Sequence, residues 1–452
     1  MKPEDIGNDL KRTLRYCKRN GIRDTVFSVA ERLYLKASDR YSYAPPSDLD
    51  IREQREKSSV LEPAQRIRIS VVVPAFNTDR HCLVQLIKSA AAQTYPWFEL
   101  VIADAGDTDT VRLVCGEAVL KHVLKAPSGD AFTPGSLRYV KLDGNGGISG
   151  NMNAAVSHSK GQWIHFLDHD DLLTADALYM AASAIREHPG AVLVYFDEDK
   201  TDYPGRTFSD PNLKPGFNPD LLLTNNYICH AMTLRRDLAE SFPLRSGYDG
   251  AQDYDLVLRI LSDMMLRGLS LEEMRKLVVH EGRVTYHWRV HGGSSAGDSS
   301  AKTWAYDAGL RALRDFYDRM GIEARAVHSR HLGFFRTEYD PDIFSARKDV
   351  GVVCGRVSDA FGRMCADMMS LEGERLFEGM PVRFSGRLNR FDSAQDIMYG
   401  DMRNMRIRPE LKHLLSVVAK RDDINKNEEI CRLAREAGFT VVYDPGLGTV
   451  RG

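Results

Sequence analysis

The chain has 452 residues, of which 43% are hydrophobic and 27% are charged, and its formal net charge is −2. This length and composition are typical of a globular protein of two or three domains and exclude a disordered or fibrous chain. The near-neutral charge gives no electrostatic reason to expect a nucleic-acid partner.

Seven cysteines are scattered along the chain and never form a C-x-x-C pair. This arrangement argues against a disulfide framework or a structural zinc site and suits a reducing cytosol. The sequence has no run of 18 apolar residues, and residues 1–30 lack the apolar core of a signal peptide. We therefore expect a cytoplasmic protein.

The first predicted elements are one or two helices within residues 1–43. Seven of the first 23 residues are Lys or Arg, and a more apolar stretch follows at 26–35. Two interpretations remain open: an amphipathic helix that contacts a partner or the inner face of the plasma membrane, or a solvated helical arm on the main domain. A Pro45–Pro46 break and the charged stretch 48–57 complete an N-terminal arm and linker at residues 1–66.

Strands and helices alternate from residue 67 onward. The β-branched run Ile69–Val73, which ends at Pro74, is typical of a strand buried on both faces of a parallel sheet. Further strands are predicted at Phe98–Ala103, Arg138–Leu142, Trp163–Leu167 and Val192–Phe196, and helices at Asn151–Ser159 and from an N-cap at Thr174 to about Glu187. This alternation predicts an α/β fold with a mostly parallel sheet and helices on both faces. Such sheets bind ligands at the carboxyl ends of their strands.

Acidic residues follow most of these predicted strands. They are Asp104, Asp107, Asp143, Asp168, Asp170, Asp171, Asp197, Glu198 and Asp199. Clustered carboxylates repel one another unless a cation lies among them, and a hard divalent ion bound through oxygen meets that need, above all where it also contacts a diphosphate. Because side chains alternate along an extended segment, Asp168 and Asp170 are predicted to face one ion. Any single D-x-D is also compatible with acids that cap a loop in solvent.

The glycines offer a second interpretation. A strand, the sequence Gly144-x-Gly146-x-x-x-Gly150, a helix and then Asp168 approximate a dinucleotide-binding unit with its ribose-binding acid. The spacing departs from G-x-G-x-x-G and the acid belongs to a run, so the match to a nicotinamide-dependent enzyme is incomplete. A glycine loop at a helix start binds phosphate under either interpretation.

Residues 67–325 resemble the family 2 inverting glycosyltransferases of the GT-A fold, most of all the bacterial cell-surface polysaccharide branch with its rhamnosyltransferase-like members. The matching segments occur in the family's order and cover more than half of the chain. They are Ser70-Val-Val-Val-Pro-Ala-Phe-Asn-Thr78, Gln93-Thr-Tyr-Pro96, Gly147-Ile-Ser149 with Asn153, Phe166-Leu-Asp-His-Asp-Asp171, Phe196-Asp-Glu-Asp-Lys200, Gln252-Asp-Tyr-Asp-Leu-Val-Leu-Arg259 and Tyr286-His-Trp-Arg-Val-His291.

The resemblance implies a nucleotide-sugar donor such as a UDP- or dTDP-sugar, a Mn²⁺ or Mg²⁺ cofactor, and a hydroxyl acceptor on a glycan or lipid-linked sugar. Asp170 is the implied principal metal ligand, Asp168 touches ribose or metal, and His291 closes the metal shell. The implied donor-binding residues are Pro74, Phe76, Asn77, Asp104, Gly147, Asn153 and Asp168. The family's usual Asp-Asp-Gly-Ser is Asp104-Ala-Gly-Asp107 here, which leaves the nucleotide base open.

The resemblance also places the catalytic base at Asp253, at the start of a predicted helix. An inverting transfer needs such a base to take the proton of the acceptor hydroxyl. Without the resemblance, Asp253 is equally well an acid that the helix dipole stabilises, and Asp255 is expected to cap or pack. The predicted acceptor or sugar pocket consists of Asp197, Glu198, Tyr227, His230 and Trp288. Core packing is the alternative for His230, and a structural hydrogen-bonding role is the alternative for His291.

Residues 326–452 are predicted to form a smaller α/β module, with a strand at Asp349–Arg356, a helix at Asn427–Gly438 and a strand at Thr440–Tyr443. The module faintly resembles the later half of a second GT-A domain, but it lacks a D-x-D and has Asn427 where the family carries its base. A degenerate acceptor-side or scaffolding module and an unrelated appendage both remain open. For the whole chain, the alternatives are an active glycosyltransferase and a non-catalytic relative that binds nucleotide-sugar or scaffolds a polysaccharide-assembly complex. Retention of both Asp170 and Asp253 favours the enzyme.

Overall fold

The computed structural model describes residues 3–38, 40–290, 303–421 and 423–452. Its α-helices in these ranges are α1 Pro3–Ser38, α2 Asp48–Ser59, α3 Arg80–Ala91, α4 Thr110–Leu120, α5 Gly147–His158, α6 Ala177–Glu187, α7 Pro219–Leu222, α8 Arg236–Ser241, α9 Gln252–Leu266, α10 Leu271–Leu277, α11 Thr303–Met320, α12 Ile343–Ala346, α13 His413–Ala419 and α14 Lys426–Glu436.

The strands in the same ranges are β1 Ile69–Ala75, β2 Phe98–Asp104, β3 Ser136–Lys141, β4 Trp163–Phe166, β5 Leu172–Leu173, β6 Leu193–Thr201, β7 Phe208–Asn212, β8 Met232–Arg235, β9 Val278–Arg289, β10 Ala324–His328, β11 Phe335–Tyr339, β12 Val350–Cys354, β13 Arg356–Ser358, β14 Gln395–Asp396, β15 Met405–Ile407, β16 Thr440–Tyr443 and β17 Thr449–Arg451. The chain divides into two compact units. The larger unit comprises residues 41–217 and 226–316, and the smaller unit comprises residues 1–40, 218–225 and 317–452.

The larger unit is built on one sheet with the strand order β3-β2-β1-β4-β8-β6-β9-β5, with β7 added beside β6. The first four strands of this order are parallel, and β6 and β9 are parallel as well. Strand β8 runs antiparallel between β4 and β6. Most residue pairs in the sheet are therefore parallel, and the predicted α/β fold of the GT-A type is confirmed.

The central strands form as the sequence pattern indicates. Every residue of β1 and β2 is buried, because helices cover both faces of the sheet at this point. Helix α3 packs one apolar face against the sheet through Leu83, Leu86, Ile87 and Ala90. The parallel register, in which Ile69 pairs with both Phe98 and Trp163, brings the carboxyl ends of β1, β2 and β4 to one edge.

Several predicted boundaries are wrong by a few residues. Helix α5 begins at Gly147 rather than Asn151, and α6 begins at Ala177 with Asp176 as its N-cap rather than Thr174. The Thr174 hydroxyl instead donates to the Asp176 carboxylate at 2.7 Å. Strand β6 continues to Thr201, so the acids of 197–199 lie within a strand and not after its end.

The smaller unit contains the four-stranded sheet β14-β16-β12-β15 and the long helix α1. Helix α1 is kinked at Gly21, which agrees with the prediction of one or two helices. The carboxylate of Glu31, on the second half of α1, accepts hydrogen bonds from the main-chain N–H of Ser385 at 2.9 Å and of Gly386 at 2.7 Å. The predicted domain boundaries at residues 66 and 325 and the degenerate GT-A origin of the C-terminal module stay predictions.

None of the helices in the described ranges combines the length and the apolarity that crossing a membrane requires.

Candidate active site

The acidic loop after β4, residues 168–171, is fixed in place by β9. The fully buried carboxylate of Asp171 accepts a hydrogen bond from the Tyr286 hydroxyl at 2.5 Å and one from the main-chain N–H of Arg289 at 2.7 Å. The buried guanidinium of Arg289 donates to the main-chain carbonyl of Asp170 at 2.5 Å and to that of Tyr203. The loop is thus held from two sides by buried polar contacts, which suits a site that must keep its geometry.

Three carboxyl groups lie close together at this loop, those of Asp168, Asp170 and Asp171. Burial raises the pKa of Asp171 well above its ordinary value, and the neighbouring carboxylates of Asp170 and Asp168 raise it further. The Asp168 side chain is about half exposed, at 47%. Solvent therefore reaches Asp168, whereas Asp171 is fully buried and holds the loop against β9.

The turn at residues 228–230 lies against the acidic loop. The imidazole Nε2 of His230 is 3.3 Å from the Asp168 carboxylate, and the ring stacks on Trp288 with the ring centroids 5.5 Å apart. Burial opposes a charge on His230, but Cys229 and the Asp168 carboxylate outweigh it and raise the pKa of the imidazole. Of the predicted pocket residues, His230 and Trp288 thus lie beside the predicted metal and donor site.

The same turn connects to the predicted base. The Cys229 sulfur lies 3.3 Å from Nδ1 of His230 and also interacts with the Asp253 carboxylate, and burial raises the pKa of this thiol to about 12. One oxygen of Asp253 accepts from the Asn226 side-chain amide at 3.0 Å, and the other accepts from the main-chain N–H of Tyr254 at 2.9 Å. The side chains of Asp168, His230, Cys229 and Asp253 therefore form one continuous row.

Helix α9 carries Asp253 in its first turn, as predicted, and the second acid of the motif has a separate role. Asp255 is buried and accepts hydrogen bonds from the guanidinium groups of Arg245 and Arg259. The prediction that Asp255 caps or packs agrees with these contacts.

The predicted nucleotide-binding residues of β1 and β2 lie side by side. Asp104 is buried, and its carboxylate accepts from the Tyr139 hydroxyl at 2.9 Å and from the main-chain N–H of Gly106 at 2.9 Å. Asn77 has a positive φ of 46°, and its side chain accepts from the main-chain N–H of Asp107. Phe76 is 41% exposed beside them, whereas Pro74 is buried within β1.

The first turn of α5 is occupied by a carboxylate of this chain. Asp249 accepts hydrogen bonds from the main-chain N–H of Ile148 at 3.1 Å and from that of Ser149 at 3.0 Å. These are the groups with which a glycine loop at a helix start binds phosphate. Both ends of the Asn153 amide bond the main chain of Leu244, at 2.8 and 2.9 Å. Donor-binding roles for Gly147 and Asn153 stay predictions.

Three residues of the predicted acceptor or sugar pocket make contacts with other side chains or main-chain groups of the protein. Asp197 accepts from the main-chain N–H of Lys214 at 2.8 Å and lies 2.9 Å from the imidazole of His280. Glu198 is paired with the Lys214 ammonium at 3.2 Å. Tyr227 is buried and packs edge-on against Tyr195. Their part in sugar or acceptor binding stays a prediction.

Metal binding is supported here only by the type of donor. Asp168 and Asp170 offer the carboxylate oxygens that Mg²⁺ and Mn²⁺ take. Among the described residues no three His, Cys, Asp or Glu side chains are grouped to hold a metal ion. The predicted third ligand, His291, lies outside the described residues.

Sequence reasoning missed several residues that shape this site, namely Asn226, Asp249, Lys214 and Arg289. Each acts through a partner distant in sequence, such as Ile148 for Asp249, which lies 101 positions away. For Arg289, the sequence offered one indication, which is its alternation with His287 on one face of a predicted strand. His287 contacts the buried Asp199 at 2.5 Å.

The fold and site define an α/β domain whose sheet carries acidic residues beyond the carboxyl end of β4. A family model described as Glycosyl transferase family 2 matches residues 70–242. A PGL/p-HBAD biosynthesis glycosyltransferase of Mycobacterium bovis is 30% identical over 204 residues, which are 44% of this chain and 71% of that protein. The chain belongs to glycosyltransferase family 2.

Other relatives are longer than this chain. An uncharacterized protein, y4gI, of Sinorhizobium fredii is 37% identical over 252 residues, which are 56% of this chain and 25% of that protein. The O-antigen biosynthesis protein RfbC of Myxococcus xanthus is 29% identical over 273 residues, which are 60% of this chain and 20% of that protein. The chain thus spans a quarter or less of the length of these two relatives.

Solved structures match over a similar part of the chain. Staphylococcus aureus TarS 1–349 in complex with UDP-GlcNAc is 19% identical, with 56% of this chain and 66% of that chain covered and a TM-score of 0.40. The mannosyltransferase PcManGT of Pyrobaculum calidifontis in complex with GDP-Man and Mn²⁺ is 16% identical, with 64% and 71% covered and a TM-score of 0.38.

Proposed function

We propose that this protein transfers a sugar from a UDP- or dTDP-sugar to a hydroxyl of a cell-surface glycan or lipid-linked acceptor, with inversion at the transferred carbon. The observation that carries the proposal is the row Asp168, His230, Cys229 and Asp253, which brings the predicted donor-side acid and the predicted base into one site. Family membership and relatives named for O-antigen and PGL/p-HBAD biosynthesis support the choice of acceptor.

Asp253 is the proposed base. Its carboxylate is oriented by Asn226 on one oxygen and by the N–H of Tyr254 on the other, so that it accepts the acceptor's proton as the new glycosidic bond forms. Orientation of this kind lowers the barrier because the base needs no rearrangement during reaction.

On the donor side, Asp168 and Asp170 are the residues that would hold Mn²⁺ or Mg²⁺. A bound divalent ion neutralises the charge that develops on the departing nucleoside diphosphate. Asp171 and Arg289 keep the loop in position for that role.

The test compares the wild-type protein with Asp253→Asn, and with Asp263→Asn on the same helix as control, because Asp263 pairs with Arg267 one turn away. Release of nucleoside diphosphate from a panel of UDP- and dTDP-sugars is measured with Mn²⁺ and candidate glycan acceptors. Asp253→Asn is expected to lower the rate by at least about 100-fold, in line with loss of a general base, while nucleoside diphosphate still binds. EDTA is expected to abolish turnover, and the control to retain it.

Unchanged turnover in Asp253→Asn contradicts the assignment of the base, and full activity in EDTA contradicts the metal. Binding of nucleotide-sugar without turnover on any donor supports the non-catalytic alternative instead.

We further propose that helix α1 contacts an anionic membrane surface. Ile22, Val26, Val29 and Leu33 are exposed, and their spacing places them on one helix face. We name these four residues the α1 stripe. Exposed basic side chains at Arg23, Arg32 and Lys36 accompany it, the combination that binds anionic lipid surfaces.

A further inference from the structure

Lys214 is a buried lysine on the loop that follows β7. Its residue is 6% exposed and its ammonium fully enclosed. An ammonium group is expensive to bury unless its donors find partners. Here they reach the Glu198 carboxylate at 3.2 Å, the carbonyl of Cys229 at 2.8 Å, the carbonyl of Ile228 at 3.4 Å and the carbonyl of His230.

Three of these four acceptors are consecutive main-chain carbonyls, so the charge of Lys214 is directed at the turn 228–230 rather than at a single ion-pair partner. The backbone conformation of the turn is unfavourable for a non-glycine residue, because His230 has a φ of 39°. A non-glycine residue in the left-handed region is strained and persists only where its surroundings keep it in that conformation. The Lys214 ammonium donates to all three carbonyls of this turn.

The turn bears the two side chains that join the donor side to the base. The His230 imidazole contacts the Asp168 carboxylate, and the Cys229 sulfur lies between His230 and Asp253. A shift of the three carbonyls therefore displaces the two middle side chains of the row, His230 and Cys229, at once. Misplacement of reacting groups by about 1 Å lowers rates by about 100-fold in enzymes.

We propose that Lys214 is a positioning residue of the active site: paired with Glu198, it fixes the 228–230 turn and with it the geometry between Asp168 and Asp253. This role rests on the proposed transferase function. In this proposal Glu198 has a structural role, as the ion-pair partner of Lys214, and does not contact the sugar directly. The buried Lys214–Glu198 pair then contributes to activity as well as to stability.

The first measurement is a kinetic comparison of wild type, Lys214→Met and the control Ser70→Ala. Ser70 is buried at the amino-terminal end of β1, whereas the site lies beyond the carboxyl ends of the strands, and its hydroxyl donates to Glu99 at 2.7 Å. The control therefore removes a buried polar contact of the same unit at a distance from the turn. Lys214→Met is expected to lower kcat by at least about tenfold, while the KM for the nucleotide-sugar stays within about threefold of the wild-type value. The reason is that the residues proposed to bind the nucleotide-sugar stay in place while the turn moves. Ser70→Ala is expected to retain kcat.

The second measurement needs no activity. Alkylation by iodoacetamide is followed at each cysteine by peptide mass spectrometry, with Cys115 in the core of the larger unit as the internal reference for global unfolding. In Lys214→Met, Cys229 is expected to react at least about tenfold faster than in wild type while Cys115 stays protected, the signature of a local opening. If Lys214→Met does not accumulate folded, Lys214→Met/Glu198→Gln takes its place in this measurement, because it leaves no unpaired buried charge.

An unchanged alkylation rate at Cys229 overturns the proposal, and so does faster alkylation with an unaltered kcat. A rise in KM that accounts for the whole loss of kcat/KM also overturns it, since that result indicates donor binding rather than positioning. If the wild-type protein turns over no nucleotide-sugar, the transferase function fails, whereas the alkylation result still decides whether Lys214 holds the turn.

Discussion

Gly147 and Asp249 form a contact between single residues that ties the start of α5 to the loop before α9. Gly147 has a φ of 75°, and a Cβ atom at this position would lie 2.5 Å from Oδ2 of Asp249. Asp249 needs that space because its carboxylate accepts hydrogen bonds from the next two N–H groups of α5. The acid stands four residues before Asp253, so the cap of one helix also anchors the loop that leads to the proposed base.

Gly147→Ala is therefore expected to destabilise the larger unit by about 1–3 kcal/mol, since it combines a strained φ with a displaced cap. Gly150→Ala is the matched control: apart from the backbone of its own helix and its chain neighbours, no atom lies within 4 Å of the added methyl group, and it is expected to be neutral or to stabilise by up to about 1 kcal/mol. Urea unfolding of both variants checks this. Equal stabilities for the two variants would contradict the proposed contact.

Sequence reasoning found the residues of this region but not their arrangement. Gly147, Asp168, Asp170 and Asp253 were identified from motifs and from the family resemblance, which depend on local order in the chain. Asp249 was missed because its function exists only when two segments about 100 residues apart meet. For the same reason the sequence predicted a late start for α5: no local residue signals a cap that a distant loop supplies.

At the scale of elements, the central strands owe their burial to apolar side chains, but β4 also buries a histidine. His165 is fully buried, and its Nδ1 contacts the Thr233 hydroxyl on β8 at 2.8 Å. Burial lowers the pKa of His165 to about 4. Below pH 6.5 the unfolded chain binds a proton at this site while the folded chain does not, so stability is lost as the pH falls from about 6.5 towards 4.

We expect this residue alone to remove about 2 kcal/mol of stability between pH 7 and pH 5. Urea unfolding of wild type, His165→Gln and the exposed control His158→Gln, at both pH values, isolates the effect. The stability difference between wild type and His165→Gln should shrink by that amount at pH 5, whereas the difference for His158→Gln should not. A pH-independent difference for His165→Gln would show that the buried imidazole is not the cause.

Strands β1 and β2 were predicted more accurately than strand β6, because the three strands are stabilised by different kinds of contact. β1 and β2 are mostly apolar, so the run of apolar residues sufficed to predict them. β6 was predicted to end at Phe196, directly before the acids at 197–199. It continues because its acids meet partners on other segments, as Asp197 meets His280 and Asp199 meets His287. Such pairing across the sheet leaves no local signal in the sequence.

At the scale of the whole molecule, α1 joins the smaller unit by one face and presents another to solvent. Glu31 is buried against Ser385 and Gly386, and the α1 stripe lies about half a turn away around the helix. The exposed fractions of the stripe are 76% at Ile22, 60% at Val26, 37% at Val29 and 65% at Leu33. Apolar side chains beside basic ones at such exposure suit the boundary of an anionic bilayer, where a lipid-linked acceptor would also lie.

Co-sedimentation with lipid vesicles tests this placement. Wild-type protein is expected to bind vesicles with about 30% phosphatidylserine and to bind neutral phosphatidylcholine vesicles much less, with the difference reduced at about 0.5 M salt, because screening weakens the basic contribution. Val26→Asp/Leu33→Asp should lose binding, because two acids on the α1 stripe oppose both apolar insertion and the surface charge. Val60→Asp is the control: this valine is 78% exposed and lies at the end of α2, in the larger unit rather than on α1. Binding that persists in the double variant, or that Val60→Asp removes as strongly, would place the membrane contact elsewhere or exclude it.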